Sequence, residues 1–213
     1  AISIKMNSAD FQKGGFSPED SIQVAKLFSD SGIDNIEISG GTYEQPRLLG
    51  LDKVSINPKR SENRKESTIA REAYFLSYAE EIAKVVNIPL MVTGGFRTKE
   101  GMEAALRDGA CEIVGVGRPL CANPYSIKEL LAGQIDELPK YEKTLSIGPW
   151  WLSPTSPFRL IQAINAFSAQ AWFYQQIKKM GKGLMPDLNL KPWKAFREDA
   201  KADQEAIKEY QNF

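Results

Sequence analysis

The sequence predicts an α/β protein whose parallel sheet is covered by helices. Two observations carry this. Short apolar strands alternate with helical segments four times between residues 2 and 133. The strands are largely apolar, as expected of strands buried by helical crossovers, although Asp34, Asn35 and Glu37 make one face or end of the second polar. A third observation is consistent with it. SGIDNIEISGG and DGACEIVGVGR both read as a helix-stopping glycine, a strand and a glycine-bearing turn. Such a repeated unit suits α/β barrels and doubly wound sheets alike.

The elements follow in order. Residues 2–6 (ISIKM) read as the first strand. Ser17 reads as an N-cap, with Pro18 at the first helical position and Glu19 and Asp20 in the first turn. That helix carries Ile22, Val24, Ala25, Leu27 and Phe28 and stops near Gly32. Residues 33–38 (IDNIEI) form the second strand. From about Ser39 to Glu66 the chain is rich in Gly, Pro, Asn and charge, the composition of a functional or disordered loop. Ser67 or Thr68 caps a helix to about Val86, with Ala70, Ala73, Tyr74, Ser77, Tyr78 and Ile82 on its core face. Pro89–Thr93 is the third strand, and Thr98 caps a helix ending at Asp108-Gly109. Cys111–Gly115 is the fourth, and Asn123-Pro124 opens a helix ending at Gly133.

Beyond residue 135 the composition changes. Pro149-Trp150-Trp151 and Pro154 to Pro157 mark an irregular connector. Ser156-Pro157 opens a long helix to Met180 whose aromatic residues Phe158, Phe167, Trp172, Phe173 and Tyr174 need a surface to pack on. A charged, solvated amphipathic helix closes the chain. The expected division is a barrel-like domain over residues 1–134 and a helical extension over 135–213 that packs on it.

Composition restricts the chemistry. The 213 residues hold 27 Lys+Arg against 27 Asp+Glu, a net charge of zero that argues against a general nucleic-acid binder. There is no run of 18 apolar residues, so no membrane span is expected, and no secretory leader is visible. A cytoplasmic location is the expectation. The chain begins with Ala1 and not Met, which suggests a processed or truncated product. Histidine is absent, which removes Ser-His-Asp and Cys-His mechanisms and the commonest metal ligand. Cys111 and Cys121 read as reduced packing residues, and no metal site is expected. Catalysis is left to Lys, Arg, Asp, Glu, Tyr or a bound cofactor.

Two strand ends combine glycine with arginine: Thr93-Gly94-Gly95-Phe96-Arg97 and Gly115-Val116-Gly117-Arg118. Ligands of parallel α/β sheets bind at the carboxyl ends of strands, where glycines let backbone N–H groups approach an anion. Arg97 and Arg118 could add charge-assisted bonds to a phosphate. Neither segment matches GxxxxGK[ST], and GVGRPL is not GxGxxG. Lys5 interrupts an apolar strand, which is costly unless it meets an anion. It either faces a ligand or sits at an edge with its head in water. Glu37 could pair with it from the neighbouring strand as a buried ion pair. Asn7, Ser8 and Asp10 could shape the mouth of the same site.

Several of these runs resemble old yellow enzyme-type NADH:flavin oxidoreductases. They are Ile4 to Phe11, Gly14-Gly15-Phe16, Glu37 to Pro46, Arg71 to Phe75, Val92 to Arg97 and Gly115 to Leu120, with the tail around Pro149-Trp150-Trp151. The resemblance implies the second half of an FMN-binding (β/α)₈ barrel plus a C-terminal helical extension. It implies hydride transfer from NAD(P)H through flavin to an activated alkene, a quinone or oxygen. Lys5 then matches the cation beside flavin N1 and the C2 carbonyl. Gly94, Gly95 and Phe96 match one half of the FMN-phosphate cradle, and Gly117 and Arg118 the other. The substrate-anchoring residues of the family's first half have no counterpart here. The complement expected is a first-half segment or a second copy of the chain. Four strands with apolar inward residues such as Ile4, Ile36, Met91 and Val114 would leave an exposed patch that favours such association. A non-catalytic half-barrel for phosphate-bearing ligands or for assembly is the alternative, and a sugar-phosphate barrel enzyme a third reading.

Overall fold

The computed structural model describes residues 1–10, 14–40 and 75–211. The loop expected after Gly40, the motif residues Gly41 to Pro46 and Arg71 to Tyr74, and the expected helix start at Ser67 or Thr68 lie outside the described residues. The chain forms two compact bodies. One comprises residues 1–117 and 128–138, the other 118–127 and 139–213.

The first body holds β1 (Ser3–Asn7), α1 (Pro18–Asp30), β2 (Asn35–Ser39), α2 (Leu76–Ala83), β3 (Leu90–Thr93), α3 (Lys99–Arg107) and β4 (Ile113–Gly115). The strands pair in parallel in the order β1-β2-β3-β4. Doubly wound sheets reverse their order at a switch point. A strictly sequential order is that of a (β/α)₈ barrel, of which these four strands are half.

The helix caps form where the sequence places them. Ser17 Oγ accepts from the Asp20 amide at 3.1 Å, and the Asp20 carboxylate accepts from the Ser17 amide at 2.9 Å. This is a reciprocal capping box. Thr98 Oγ1 caps α3 by accepting from Gly101 N at 3.1 Å. On α2 the core is made by Leu76, Ala79 and Ile82 together with Phe75. Ser77 and Tyr78, expected on that face, are only half buried.

Register decides which strand residues meet the helices. Ile4, Ile36 and Leu90 share one level, and Met6, Ile38, Val92 and Val114 the next. Ile36, Ile38, Leu90 and Val92 are almost wholly buried against Ala25, Ala79, Ile82 and Phe96. The opposite face carries Lys5, Glu37, Met91 and Ile113 on one level, with Asn7, Ser39, Thr93 and Gly115 beyond them. This corrects the expectation that Ile4, Ile36 and Val114 point away from the helices. Strand side chains alternate, so an odd-numbered Lys5 turns every even-numbered apolar neighbour in β1 toward the helices. The face away from the helices is mixed, with Met91 and Ile113 among polar groups. An exposed apolar patch there is no longer an argument for association.

Cys111 is a free, buried thiol. Burial pushes it up to about 11, with help from the Glu112 charge, so it packs in its neutral form.

The second body is helical. It holds α4 (Arg118–Ala122) and part of α5 (Ser126–Leu131), then two short 3₁₀ turns, α6 (Arg159–Gly181) and α7 (Pro192–Gln211). Its core is Ala122, Leu145, Ala171, Trp172, Phe173 and Ala195. Trp172 Nε1 donates to Leu190 O at 2.8 Å, and its ring meets Phe173 edge-on at 5.1 Å. Two buried amides tie connectors to α6. Asn165 accepts from Ile147 N at 3.0 Å and donates to Leu152 O at 2.8 Å. Gln176 accepts from Asp187 N at 2.6 Å and donates to Asp187 O at 3.1 Å. Phe158, Phe167 and Tyr174, expected to pack, are exposed. Asn165, Ser168, Trp172 and Gln176 occupy the inward stripe at helical spacing, which turns residues 167 and 174 outward. The far end of α7, residues 201–210, is fully exposed, in line with its charge. Among the described residues no helix is long and apolar enough to cross a membrane.

Candidate functional site at the carboxyl ends of the strands

All four strands are parallel, so Asn7, Ser39, Thr93 and Gly115 end at the same edge of the sheet. The residues that follow them make one rim. Asn7 Nδ2 donates to Asp10 Oδ1 at 3.0 Å, and Asp10 Oδ2 accepts from Phe16 N at 3.1 Å. The turn after β1 is thus held by a carboxylate. Ser8 N donates to Ser39 O at 2.7 Å and carries the pairing of β1 and β2 one step further.

The turn after β3 is the most distinctive part of the rim. Gly94 has φ +124° and Gly95 φ +98°. Only glycine takes such angles readily. Among the described residues, no carbonyl or side-chain oxygen accepts from the amides of Gly95 and Phe96. Two free N–H groups at a left-handed turn beyond a parallel strand form a concavity that suits an anion. The Phe96 ring itself is buried in the core, so this residue can serve a ligand only through its backbone. Arg97 departs from the expectation of a phosphate contact. It is buried, and its Nη1 donates to Phe96 O at 2.7 Å. It braces the turn instead of facing out of it.

The turn after β4 divides its glycines between two tasks. Gly117 is exposed, and a Cβ there would meet no atom within 4 Å. Gly115 is needed for packing, because a Cβ there would collide with Thr93 Oγ1 and with Met91 Cε at 2.7 Å. Gly115→Ala is therefore expected to cost about 1–3 kcal/mol by overpacking. The check is a lowered urea midpoint with an unchanged slope; an unmoved midpoint would refute the contact. Arg118 follows Gly117 and opens α4 in the second body, where its Nη1 lies 3.7 Å from Glu142 Oε1.

Below the rim, Lys5 Nζ donates to Glu37 Oε1 at 2.7 Å across the β1–β2 register pair. The Lys5 side chain is 56% exposed and that of Glu37 20%. The pair is thus half open, not buried as expected. Burial raises the Glu37 carboxyl, but the hydrogen bond and positive charge of Lys5 outweigh it and hold the group below its ordinary value. Strand alternation puts Thr93 on the same face as residues 5 and 37, and its hydroxyl fills the room left by Gly115.

No protein-family model matches the chain. Individual relatives do. The chain is 38% identical over 135 residues to the NADH-dependent flavin oxidoreductase iliE of Hypocrea jecorina, a match covering 61% of this chain and 31% of that protein. It is 32% identical over 165 residues to the NADH-dependent flavin oxidoreductase iccE of Talaromyces variabilis, covering 76% of this chain and 37% of that one. An NADH oxidase of Thermoanaerobacter brockii is 30% identical over 179 residues, covering 84% of this chain and 25% of the relative. The chain thus spans between a quarter and somewhat over a third of the length of these relatives. Over the matched residues, the chain is similar to NADH-dependent flavin oxidoreductases, in line with the resemblance its motifs carry.

Proposed function

We propose that this chain carries the FMN-phosphate half of an NAD(P)H-dependent flavin oxidoreductase. The observation that carries the reading is the Gly94-Gly95 turn, whose free amides stand at the strand ends of a chain related to NADH-dependent flavin enzymes. The amides of Gly95 and Phe96 hold phosphate oxygens, with the backbone at Gly117 beside them. Arg118, the next residue, adds a positive charge. Lys5 faces the pyrimidine end of the flavin and balances the negative charge that develops there on reduction. FMN, when bound, supplies the chemistry: it accepts hydride from NAD(P)H and passes it to an activated alkene, a quinone or oxygen. The chain's own residues bind the phosphate, orient the ring and offset charge.

An eight-stranded barrel needs four more strands. The outer edges of β1 and β4 are unpaired among the described residues. A first-half segment or a second copy of the chain closes the barrel there and brings the groups that anchor the electron acceptor, a small molecule.

The test is direct. The purified chain is mixed with FMN, gel-filtered and assayed for retained yellow colour and for NADH oxidation. Retained FMN supports the reading. Equal retention of unrelated phosphate compounds without flavin preference favours a non-catalytic half-barrel. Arg118→Ala should weaken FMN binding about tenfold, since one charge-assisted contact to phosphate contributes about 1.5–3 kcal/mol. Unchanged affinity in a fluorescence titration would remove Arg118 from the site.

A further inference from the structure

Lys5, Glu37, Met91 and Ile113 lie level on neighbouring strands, one from each of β1 to β4, on the sheet face away from the helices. The order of exposure along this row is informative. Glu37 is sunk between its neighbours at 20% exposure, whereas Lys5 is 56% exposed. An ammonium group has three protons to donate. One goes to Glu37 at 2.7 Å, and no other acceptor engages Lys5 among the described residues. The pair therefore does not consume the cation. It ties one proton down and leaves two for a ligand.

We infer that Glu37 is a positioning residue that holds the Lys5 ammonium against the flavin. The inference rests on the proposed flavin site. The physical need for such a residue is plain. A half-exposed lysine on a four-carbon stem samples many rotamers in water, and its charge is spread over all of them. A carboxylate at its base confines it to one. Glu37 also carries a negative charge that opposes Lys5 directly, so a single substitution mixes two effects. A double-mutant cycle separates them, because the direct field of Glu37 is present in both proteins of one leg and in neither of the other, and so cancels within each leg.

The experiment uses the full chain loaded with FMN and reads the flavin midpoint potential, with dithionite supplying the electrons against a reference dye. Lys5→Met is measured in the native background and in a Glu37→Ala background. In the native background it should lower the ratio of reduced to oxidised FMN affinity about tenfold, which for a two-electron couple is about 30 mV. In the Glu37→Ala background the same change should have little or no effect, because the lysine is no longer held. Glu37→Gln, which keeps the shape and removes the charge, should shrink the Lys5→Met effect as well, and it carries the test if Glu37→Ala does not fold. Equal Lys5→Met effects in all backgrounds would overturn the positioning role while leaving Lys5 at the flavin. No Lys5→Met effect in the native background, or no uptake of FMN, would overturn the flavin site itself and this inference with it.

Discussion

Gly95→Val should weaken FMN binding by about a hundredfold or more while leaving the weaker binding of riboflavin nearly unchanged. Gly95 stands at φ +98°. A β-branched residue at that angle is a steric outlier, and strain of this kind costs about 1–3 kcal/mol. The turn can relieve it only by rotating toward negative φ, which redirects the amides of Gly95 and Phe96. Neither of these N–H groups has an acceptor among the described residues. Each contact to a phosphate oxygen contributes about 1.5–3 kcal/mol. Losing both therefore removes at least about 3 kcal/mol, roughly two powers of ten in affinity. Riboflavin has no phosphate and serves as the control. Flavin fluorescence titrations of both ligands decide the matter. Parallel losses for FMN and riboflavin would mean that the substitution damages the fold and not a phosphate cradle. No loss for either would remove the turn from the site.

Trp172→Ala should be the most damaging substitution in the second body, at about 3–5 kcal/mol. The indole is 1% exposed. It fills the space between α6 and the segment leading into α7, meeting the rings of Phe173 at 5.1 Å and Tyr141 at 6.0 Å. Its Nε1 satisfies Leu190 O at 2.8 Å. Truncation leaves both a cavity and an unpaired carbonyl. For a chain of this size the loss corresponds to roughly 10 °C in Tm. Trp172→Phe separates the two contributions, because it keeps most of the apolar bulk and loses only the donor. It should cost about 1–3 kcal/mol. Thermal unfolding followed by circular dichroism measures both. A loss below about 1 kcal/mol for Trp172→Ala would show that this core collapses around the missing ring.

Much of the architecture is legible in the amino-acid sequence. Local rules govern helix starts, and they act within a few residues of sequence. Ser17, Pro18 and Asp20 lie within one helical turn, so their hydrogen bonds form wherever that turn folds. Strand segments are legible for a similar reason: buried parallel strands are short and apolar, and ISIKM, NIEIS and PLMVT stand out against their surroundings. The glycine pair after β3 is legible as a candidate site because glycine at a strand end is needed only where backbone geometry or close approach demands it.

What the sequence left open depends on contacts between distant segments. SGIDNIEISGG and DGACEIVGVGR fit barrels and doubly wound sheets equally, because strand order is a property of pairing, and residues such as Lys5 and Glu37 meet across 32 positions of chain. The facing of each strand depended on the same pairing. A strand alternates whichever face is turned inward, so Ile36 and Met91 are equivalent until the helices choose a side. The placement of Arg97 depended on reach. Arg97 has a carbonyl acceptor within its own turn at 2.7 Å, and a buried guanidinium takes the nearest partner that spares it desolvation. Gly115 and Thr93 show the limit most clearly. The sequence determined that a glycine and a threonine end adjacent strands. Only the tertiary structure placed the hydroxyl of one in the space left by the other, because β3 and β4 bring Thr93 and Gly115 side by side.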